Sequence, residues 1–124
     1  MTARALQGRC HCGAQRFTAP APDSVTDYTC TTCTKRGTLA AYYAPGVVDL
    51  DLTPGTLTAY EWGDRMMTFF HCATCGCAVY AEAPAWTTDE GEAWPARVVL
   101  NARLFEGLDL DAVPVRHVDG RNDW

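Results

Sequence analysis

Seven cysteines fall into three tight clusters, and this spacing constrains the fold more than any other feature of the sequence. The clusters are Cys10-His11-Cys12-Gly13, Cys30-Thr31-Thr32-Cys33 and Cys72-Ala73-Thr74-Cys75-Gly76-Cys77. A chain of 124 residues can bury a core without covalent crosslinks. A secreted disulfide framework, moreover, normally uses an even number of cysteines. The clusters therefore indicate metal binding or thiol chemistry.

Two of the clusters have the form of a zinc knuckle, in which two cysteines on one short turn are followed by a glycine. Gly13 and Gly76 occupy that position, where a tight turn requires a positive φ. One knuckle supplies two ligands, so a tetrahedral site needs a second pair from elsewhere in the chain, and the two glycine-terminated pairs are the natural partners. The spacing predicts a closed, structural zinc site with four ligands, which are Cys10, Cys12, Cys72 and Cys75.

Three cysteines remain, and three ligands with an open fourth position would suit a catalytic zinc. Cys30 and Cys33 have three interpretations: metal or substrate-thiol chemistry, a redox dithiol, or unremarkable structural thiols. A redox dithiol of the thioredoxin type opens a helix after a strand, whereas Thr34-Lys35-Arg36-Gly37 is a poor helix start. We expect Cys77 to point away from the four-cysteine site and to be a small core residue at the start of a strand.

The rest of the chain indicates a mostly β fold. Short stretches of β-branched and aromatic residues alternate with Gly, Pro and Asp, and no sustained helical spacing is present. The sequence predicts several short antiparallel strands with little helix, in a single domain spanning residues 1–124. The expected strands cover residues 4–9, 14–19, 38–43, 56–62, 65–71, 78–82, 96–102 and 114–118.

Turn signals refine this outline. Gly63-Asp64 predicts a two-residue hairpin connection between the strands at 56–62 and 65–71. Pro54-Gly55 suits the two central positions of a type II turn, since proline presets φ and glycine accepts a positive φ. The plausible helical material is a turn or two within residues 108–113, because a glycine and a proline limit any longer helix there.

An acidic segment at residues 83–95 contains two prolines, Asp89, Glu90 and Glu92, and is flanked by Trp86 and Trp94. We interpret it as a long surface loop. It is either a solvated excursion whose tryptophans are pinned to the core, or a lid or wall of a substrate cleft.

Charge and hydropathy narrow the choice of partners. The 15 acidic and 10 basic residues leave a net charge of −5 without a run of Lys or Arg, which argues against a nucleic-acid partner. No stretch approaches the roughly 18 apolar residues that span a bilayer. The start of the chain also lacks the apolar segment of a secretory signal. We therefore expect a cytoplasmic protein with no membrane partner.

Several motifs together make the chain resemble the glutathione-dependent formaldehyde-activating enzyme family, which includes centromere protein V. The resemblance runs from Gly8 to about Trp124 and lies in the order C-x-C-G, central cysteine cluster, C-x-x-C-G. The segments that carry it are Gly8-Arg9-Cys10-His11-Cys12-Gly13-Ala14-Gln15-Arg16-Phe17, residues 30–37, Phe70-His71-Cys72-Ala73-Thr74-Cys75-Gly76, Val99-Leu100-Asn101-Ala102-Arg103-Leu104-Phe105-Glu106-Gly107 and Val118-Asp119-Gly120-Arg121-Asn122.

The resemblance implies a β-tent fold with two zinc sites. The structural site uses the first and last cysteine pairs, in agreement with the spacing. The second zinc is held by a central C-x-C-x-x-C, and it takes part in adding the thiol of glutathione to formaldehyde to give S-hydroxymethylglutathione. The resemblance therefore implies carbon–sulfur lyase activity on thiol–aldehyde adducts, with Cys30 and Cys33 as catalytic residues and possible ligands of a second zinc.

This sequence departs from the family pattern at one position. Tyr28 stands where the family has the first of the three central cysteines, and a neutral phenol is a poor zinc ligand at neutral pH. Cys77, Asp27 or one of the histidines His11, His71 and His117 would have to replace it. Two functions stay open: an enzyme acting on an aldehyde and a thiol such as glutathione, or a non-catalytic binding or scaffold module with one structural zinc.

Overall fold

The structure, a computed structural model, describes residues 4–28, 31–61 and 65–119 of the chain. Within these residues it is mostly β, as predicted, with the helix α1 (Thr31–Arg36) and a 3-10 helix (Ala102–Leu104). Neither of these described helices has the length and apolar character needed to cross a membrane. The strands are β1 (Ala5–Arg9), β2 (Gln15–Pro20), β3 (Val25–Tyr28), β4 (Ala40–Tyr43), β5 (Asp49–Leu52), β6 (Leu57–Tyr60), β7 (Thr68–Cys72), β8 (Ala78–Ala83), β9 (Trp86–Thr87), β10 (Ala93–Trp94), β11 (Arg97–Asn101) and β12 (Val115–Val118).

These strands form three sheets. β1, β2 and β5 make a three-stranded sheet, β9 and β10 make a ribbon, and the large sheet has the order β12-β3-β4-β11-β8-β7-β6. The expectation of antiparallel strands is wrong at one edge, where β12 runs parallel to β3. β3 and β12 are far apart in the sequence, so no hairpin forces them to run in opposite directions.

The main core joins the three-stranded sheet to one face of the large sheet. Alternate residues of β2 point inward, which buries Gln15, Phe17 and Ala19. Phe17 packs edge-to-face on Phe105, with 5.2 Å between ring centroids. Val99 lies on the opposite face of β11, within a smaller cluster that also contains Ala40 and Ala81.

The predicted turn at Pro54-Gly55 is confirmed. Gly55 has φ +79° and the N–H of Thr56 donates to the carbonyl of Thr53 over 3.3 Å, which is the geometry of a type II turn.

The predicted hairpin also forms, but its register is shifted. A two-residue connection at Gly63-Asp64, which lies outside the described residues, would place Tyr60 opposite Met67. Instead, Tyr60 lies opposite Phe69. Among the described residues of this loop, Arg65 has a positive φ, of 60°. The Thr68 hydroxyl donates to a Glu61 carboxylate oxygen over 3.1 Å, which fits the observed register.

Two predictions of local structure are confirmed only in part. Residues 108–113 contain a single hydrogen-bonded turn, in which Ala112 and Val113 donate to the carbonyl of Asp109, and no longer helical segment. The segment at 83–95 is not a plain loop, since β9 and β10 pair within it and place Trp94 opposite Trp86. β3 and β5 were not predicted, because both contain aspartate, which is depleted in strands.

Candidate functional site

The two predicted knuckles have the expected backbone geometry. Gly13 and Gly76 both have φ +83°. Each turn is closed by the glycine N–H, which donates to the backbone carbonyl of Cys10 over 3.1 Å in the first knuckle and to that of Cys72 over 2.8 Å in the second. The first knuckle joins β1 to β2 and the second joins β7 to β8, so the sheets bring two distant turns together.

The four predicted ligand sulfurs converge. Those of Cys10, Cys12, Cys72 and Cys75 all lie within 4.8 Å of one another. Two of the pairs, Cys10 with Cys12 and Cys12 with Cys72, are separated by 3.7 Å. A tetrahedral ion about 2.3 Å from each sulfur requires sulfurs about 3.8 Å apart. The cluster therefore has the size and donor chemistry of a four-thiolate metal site.

The electrostatics of the cluster favour a cation. Burial raises the pKa of the Cys75 thiol, but the backbone N–H groups of Cys12 and Cys77 stabilise its thiolate, and the pKa falls to about 5. The N–H of Ala14 lowers the pKa of Cys12, yet lost hydration and the sulfurs of its neighbours raise it to about 11. The thiols cannot all ionise beside one another unless a positive ion neutralises them.

Gln15 belongs to this site, although sequence reasoning gave it no role. Its side chain is 0% exposed, and its Nε2 donates to the Cys72 sulfur over 3.6 Å and to the Thr56 hydroxyl over 2.7 Å. Its Oε1 accepts from the N–H of Thr53 over 3.3 Å. The sequence does contain a signal for this role of Gln15, because a polar glutamine there occupies an inward-facing position of a predicted strand.

Cys77 partly contradicts its prediction. It directly precedes β8 and packs half-buried against the main core, as expected. However, it does not point away from the cluster, because its thiol interacts with Cys75 and accepts from the backbone N–H of His11. It is not a member of the converging group of four.

A cavity of about 860 Å³ opens on the face of the large sheet opposite the main core. Its floor is a row of four residues that lie directly opposite one another on neighbouring strands. These are Tyr42 on β4, Val99 on β11, Ala81 on β8 and Phe69 on β7. Met67 and the two tryptophans of the β9–β10 ribbon add apolar walls.

The ribbon tryptophans are not pinned to the core. Trp86 is 45% exposed and Trp94 is 40% exposed, and both line the cavity. The interpretation of residues 83–95 as one wall of a cleft agrees with this placement.

Three arginines from separate elements line the same cavity: Arg36 on α1, Arg97 on β11 and Arg116 on β12. The guanidinium of Arg36 lies 5.6 Å from the ring centroid of Phe69, and that of Arg97 lies 5.2 Å from Tyr42. No Asp or Glu in the described part of the chain lines the cavity. It therefore carries positive charge in a chain whose net charge is −5.

Cys33 also lines the cavity, on helix α1. It lies close enough to Arg36 for the two charges to interact: burial lowers the pKa of the Arg36 guanidinium, and Cys33 opposes this. The expectation of a poor helix start is wrong, since α1 follows β3 and ends at Arg36. Gly37 caps it, with a φ of +66° and an N–H that donates to the carbonyl of Cys33. Cys30 lies outside the described residues, so its pairing with Cys33 stays a prediction.

Tyr28, the residue at the departure from the family pattern, lies on the cavity wall. Its hydroxyl contacts that of Tyr42, and the two rings meet edge-to-face with centroids 6.4 Å apart. Burial, and then the contact with Tyr28, raises the pKa of Tyr42. Two phenol hydroxyls thus meet in the cavity that holds Cys33.

The proposed substitutes for the missing cysteine are placed elsewhere. None of these described side chains lines the cavity: Asp27, Cys77, His11, His71 and His117. His117 instead faces Asp27 across β12 and β3, with 3.6 Å between Nδ1 and Oδ2. The Nδ1 of His71 is buried without a hydrogen-bond partner.

Comparisons with known proteins agree with this architecture. A family model described as "Glutathione-dependent formaldehyde-activating enzyme" matches residues 5–101. The fold is similar to the crystal structure of a Rhodobacter sphaeroides protein, with a TM-score of 0.71 and 23% identity over 90% of this chain and 99% of that chain. At that identity the likeness shows a shared fold. No protein with a curated description matches the chain.

Proposed function

The chain belongs to the glutathione-dependent formaldehyde-activating enzyme family, and we propose that it catalyses the reversible addition of a thiol such as glutathione to an aldehyde. In the forward direction the thiol sulfur bonds to the carbonyl carbon. The carbonyl π pair moves to oxygen, and the thiol proton ends there. The reverse reaction is the carbon–sulfur lyase reaction on adducts such as S-hydroxymethylglutathione.

We assign zinc to the four-cysteine cluster in this proposal. A closed four-thiolate site leaves no position for substrate, so its metal is structural. The bound ion would neutralise the thiolates and crosslink the turn between β1 and β2 to the turn between β7 and β8. Two observations support this assignment. Neighbouring sulfurs are 3.7 Å apart, and the four thiols can all ionise only beside a cation.

The observation that carries the catalytic part is the convergence of a thiol, the paired phenols of Tyr28 and Tyr42 and three guanidinium groups on one cavity. Glutathione has two carboxylates, and guanidinium groups are well suited to bind carboxylates. Such a reaction has a low intrinsic barrier, so the protein needs mainly to hold the two reactants together and to help move one proton.

The residues of the cavity suggest how that proton moves. Cys33, next to the cationic Arg36, is placed to accept the proton of the substrate thiol. The paired hydroxyls of Tyr28 and Tyr42 are placed to donate to the carbonyl oxygen as charge develops on it. In that role, Tyr28 supplies a hydrogen-bond donor at the position where the family pattern has a metal-binding cysteine.

Exchange spectroscopy with ¹³C-formaldehyde and glutathione tests the activity. Substoichiometric protein should accelerate exchange between the free aldehyde and its adduct, and Cys33→Ser should reduce this acceleration at least tenfold. Cys77→Ser makes the same chemical change outside the cavity and should leave exchange unchanged, provided that its zinc content is normal. Wild-type exchange no faster than the uncatalysed reaction would refute the proposal.

The second zinc is a separate question, because Cys30 lies outside the described residues and none of the five described candidates for the missing ligand lines the cavity. Zinc content of the purified protein decides it. Two equivalents that fall to one on Cys30→Ser would place a metal at Cys30 and Cys33. One equivalent that is unaffected by Cys30→Ser would exclude that metal from the reaction.

A second candidate function is a non-catalytic module that binds a thiol ligand in the same cavity. The engagement of the Tyr28 hydroxyl with Tyr42 favours it, since this position then supplies no metal ligand. Such a module would bind S-methylglutathione in calorimetry, yet it would leave the exchange rate of the aldehyde unchanged.

A further inference from the structure

The cavity is far larger than a one-carbon aldehyde needs. Its volume of about 860 Å³ lies near the upper end of the roughly 300–1,000 Å³ of pockets that hold drug-sized ligands. Its walls are mostly apolar, with Phe69 and Val99 in the floor and Met67 beside them. Glutathione is a polar peptide and offers little that these residues would bury.

The apolar part of the cavity is also concentrated at one place. Trp86 and Trp94 face each other across the ribbon, and both remain 40% or more exposed while lining the cavity. Tyr42, 39% exposed, continues the same surface onto the sheet floor. Clustered exposed aromatic surface of this kind marks a binding site for an apolar group.

The positive charge of the cavity indicates the chemistry of the other end of the ligand. Arg36, Arg97 and Arg116 line the cavity, and no described carboxylate lies within salt-bridge distance of any of them. A ligand that fits both features therefore has an anionic part and an apolar part.

We propose that the aldehyde half of the adduct carries an apolar group, either an aromatic ring or a chain of several carbons, which lies against Met67, Phe69, Trp86 and Trp94. This inference rests on the proposed function for the thiol half, the anionic part held by the arginines. The reaction is unchanged: the sulfur–carbon bond forms and the thiol proton moves to the carbonyl oxygen. The substrate class becomes the adducts of bulky apolar aldehydes.

A series of S-substituted glutathiones tests this directly by calorimetry. Burial of one methylene strengthens binding by up to about fourfold, and about twofold is expected in a half-open cavity. The five additional methylenes should therefore make S-hexylglutathione bind roughly thirtyfold more tightly than S-methylglutathione. Trp94→Ala and Met67→Ala should reduce this ratio severalfold. Val47→Ala, an exposed apolar residue outside the cavity, should leave it unchanged.

The outcomes separate this inference from the proposed function. Equal affinities for the methyl and hexyl compounds would overturn the inference and leave the glutathione proposal standing. If no glutathione derivative binds but octanoate does, with an affinity lowered by Trp94→Ala, the apolar-anion site is supported and glutathione is excluded. If the ratio of hexyl to methyl affinity stayed the same in Trp94→Ala and in Met67→Ala, the placement of the apolar group against these residues would also be overturned.

Discussion

Gln15→Leu offers a sharp test of how the cysteine cluster is built into the fold. Leucine has nearly the size of glutamine but cannot form its hydrogen bonds. The substitution removes donation to Thr56 and to the Cys72 sulfur, and it removes the acceptor of the Thr53 N–H. The N–H of Thr53 keeps a second acceptor in the carbonyl of Ala14 at 3.2 Å, so no backbone group is orphaned.

The size of the effect follows from these contacts. The Gln15 side chain makes four hydrogen-bond contacts through two amide hydrogens and one amide oxygen. Loss of bonding at these three groups, at about 1 kcal/mol each, predicts a loss of about 3 kcal/mol in the free energy of unfolding. A domain is stable by about 5–15 kcal/mol in total, so this loss is readily measured. Because the bond to Cys72 also orients a predicted metal ligand, zinc affinity should fall roughly tenfold.

Urea unfolding at a fixed free zinc concentration measures the stability, since bound metal itself stabilises the folded state. Competition with a chromophoric chelator measures the zinc affinity. Gln7→Leu is the matched control, because the same change at an exposed position of β1 should stay within about 0.5 kcal/mol of wild type. If Gln15→Leu were as stable as Gln7→Leu, the reasoning that Gln15 joins the second knuckle to β2 would be refuted.

Three further predictions follow from other contacts. Chelation of the metal, or Cys72→Ser, should unfold much of the chain, because a structural zinc contributes on the order of 10 kcal/mol; a chelated protein that keeps its far-ultraviolet circular dichroism would contradict this. Gly8→Ala places a Cβ 2.2 Å from Cε1 of the fully buried Phe17 and should cost about 2–3 kcal/mol in urea unfolding. Burial raises the pKa of Tyr43 to about 12, above an unfolded value of about 10. Its contribution to stability is therefore complete below pH 10 and is lost as the pH rises toward 12. Tyr43→Phe should flatten that alkaline loss, and an unchanged slope in urea titrations at pH 9 and 11 would speak against it.

The sequence predicts the cysteine cluster well because its information is local. Each knuckle needs a short spacing and one glycine, and Gly13 and Gly76 adopt the required positive φ. The clearest errors concern features that depend on tertiary structure. Three of the six residues of α1 are threonine, which has a low helix propensity, although Lys35 and Arg36 at its end favour a helix. It forms because Gly37 caps its end and because the strand before it and the cavity wall fix its position.

The cavity was only partly predictable, since its parts are scattered along the chain. Arg36, Arg97 and Arg116 look like isolated surface residues in the sequence, and the parallel pairing of β12 with β3 is what brings Arg116 to the others.

The hairpin register could not be predicted from Gly63-Asp64 for a related reason. A shift of two residues keeps every side chain on the same face, so burial does not choose between the predicted and observed pairings.

The same strands connect the cysteine cluster to the cavity. β7 carries Phe69 in the cavity floor and Cys72 in the cluster, three residues or about 10 Å apart along one strand. β8 begins at Ala78, which lines the cavity directly after the second knuckle. A closed metal site at the cluster would not touch a ligand, but it would fix the end of both strands that form this half of the floor. A structural ion in the cluster would therefore control ligand affinity through the position of Phe69, without taking part in any bond to the ligand.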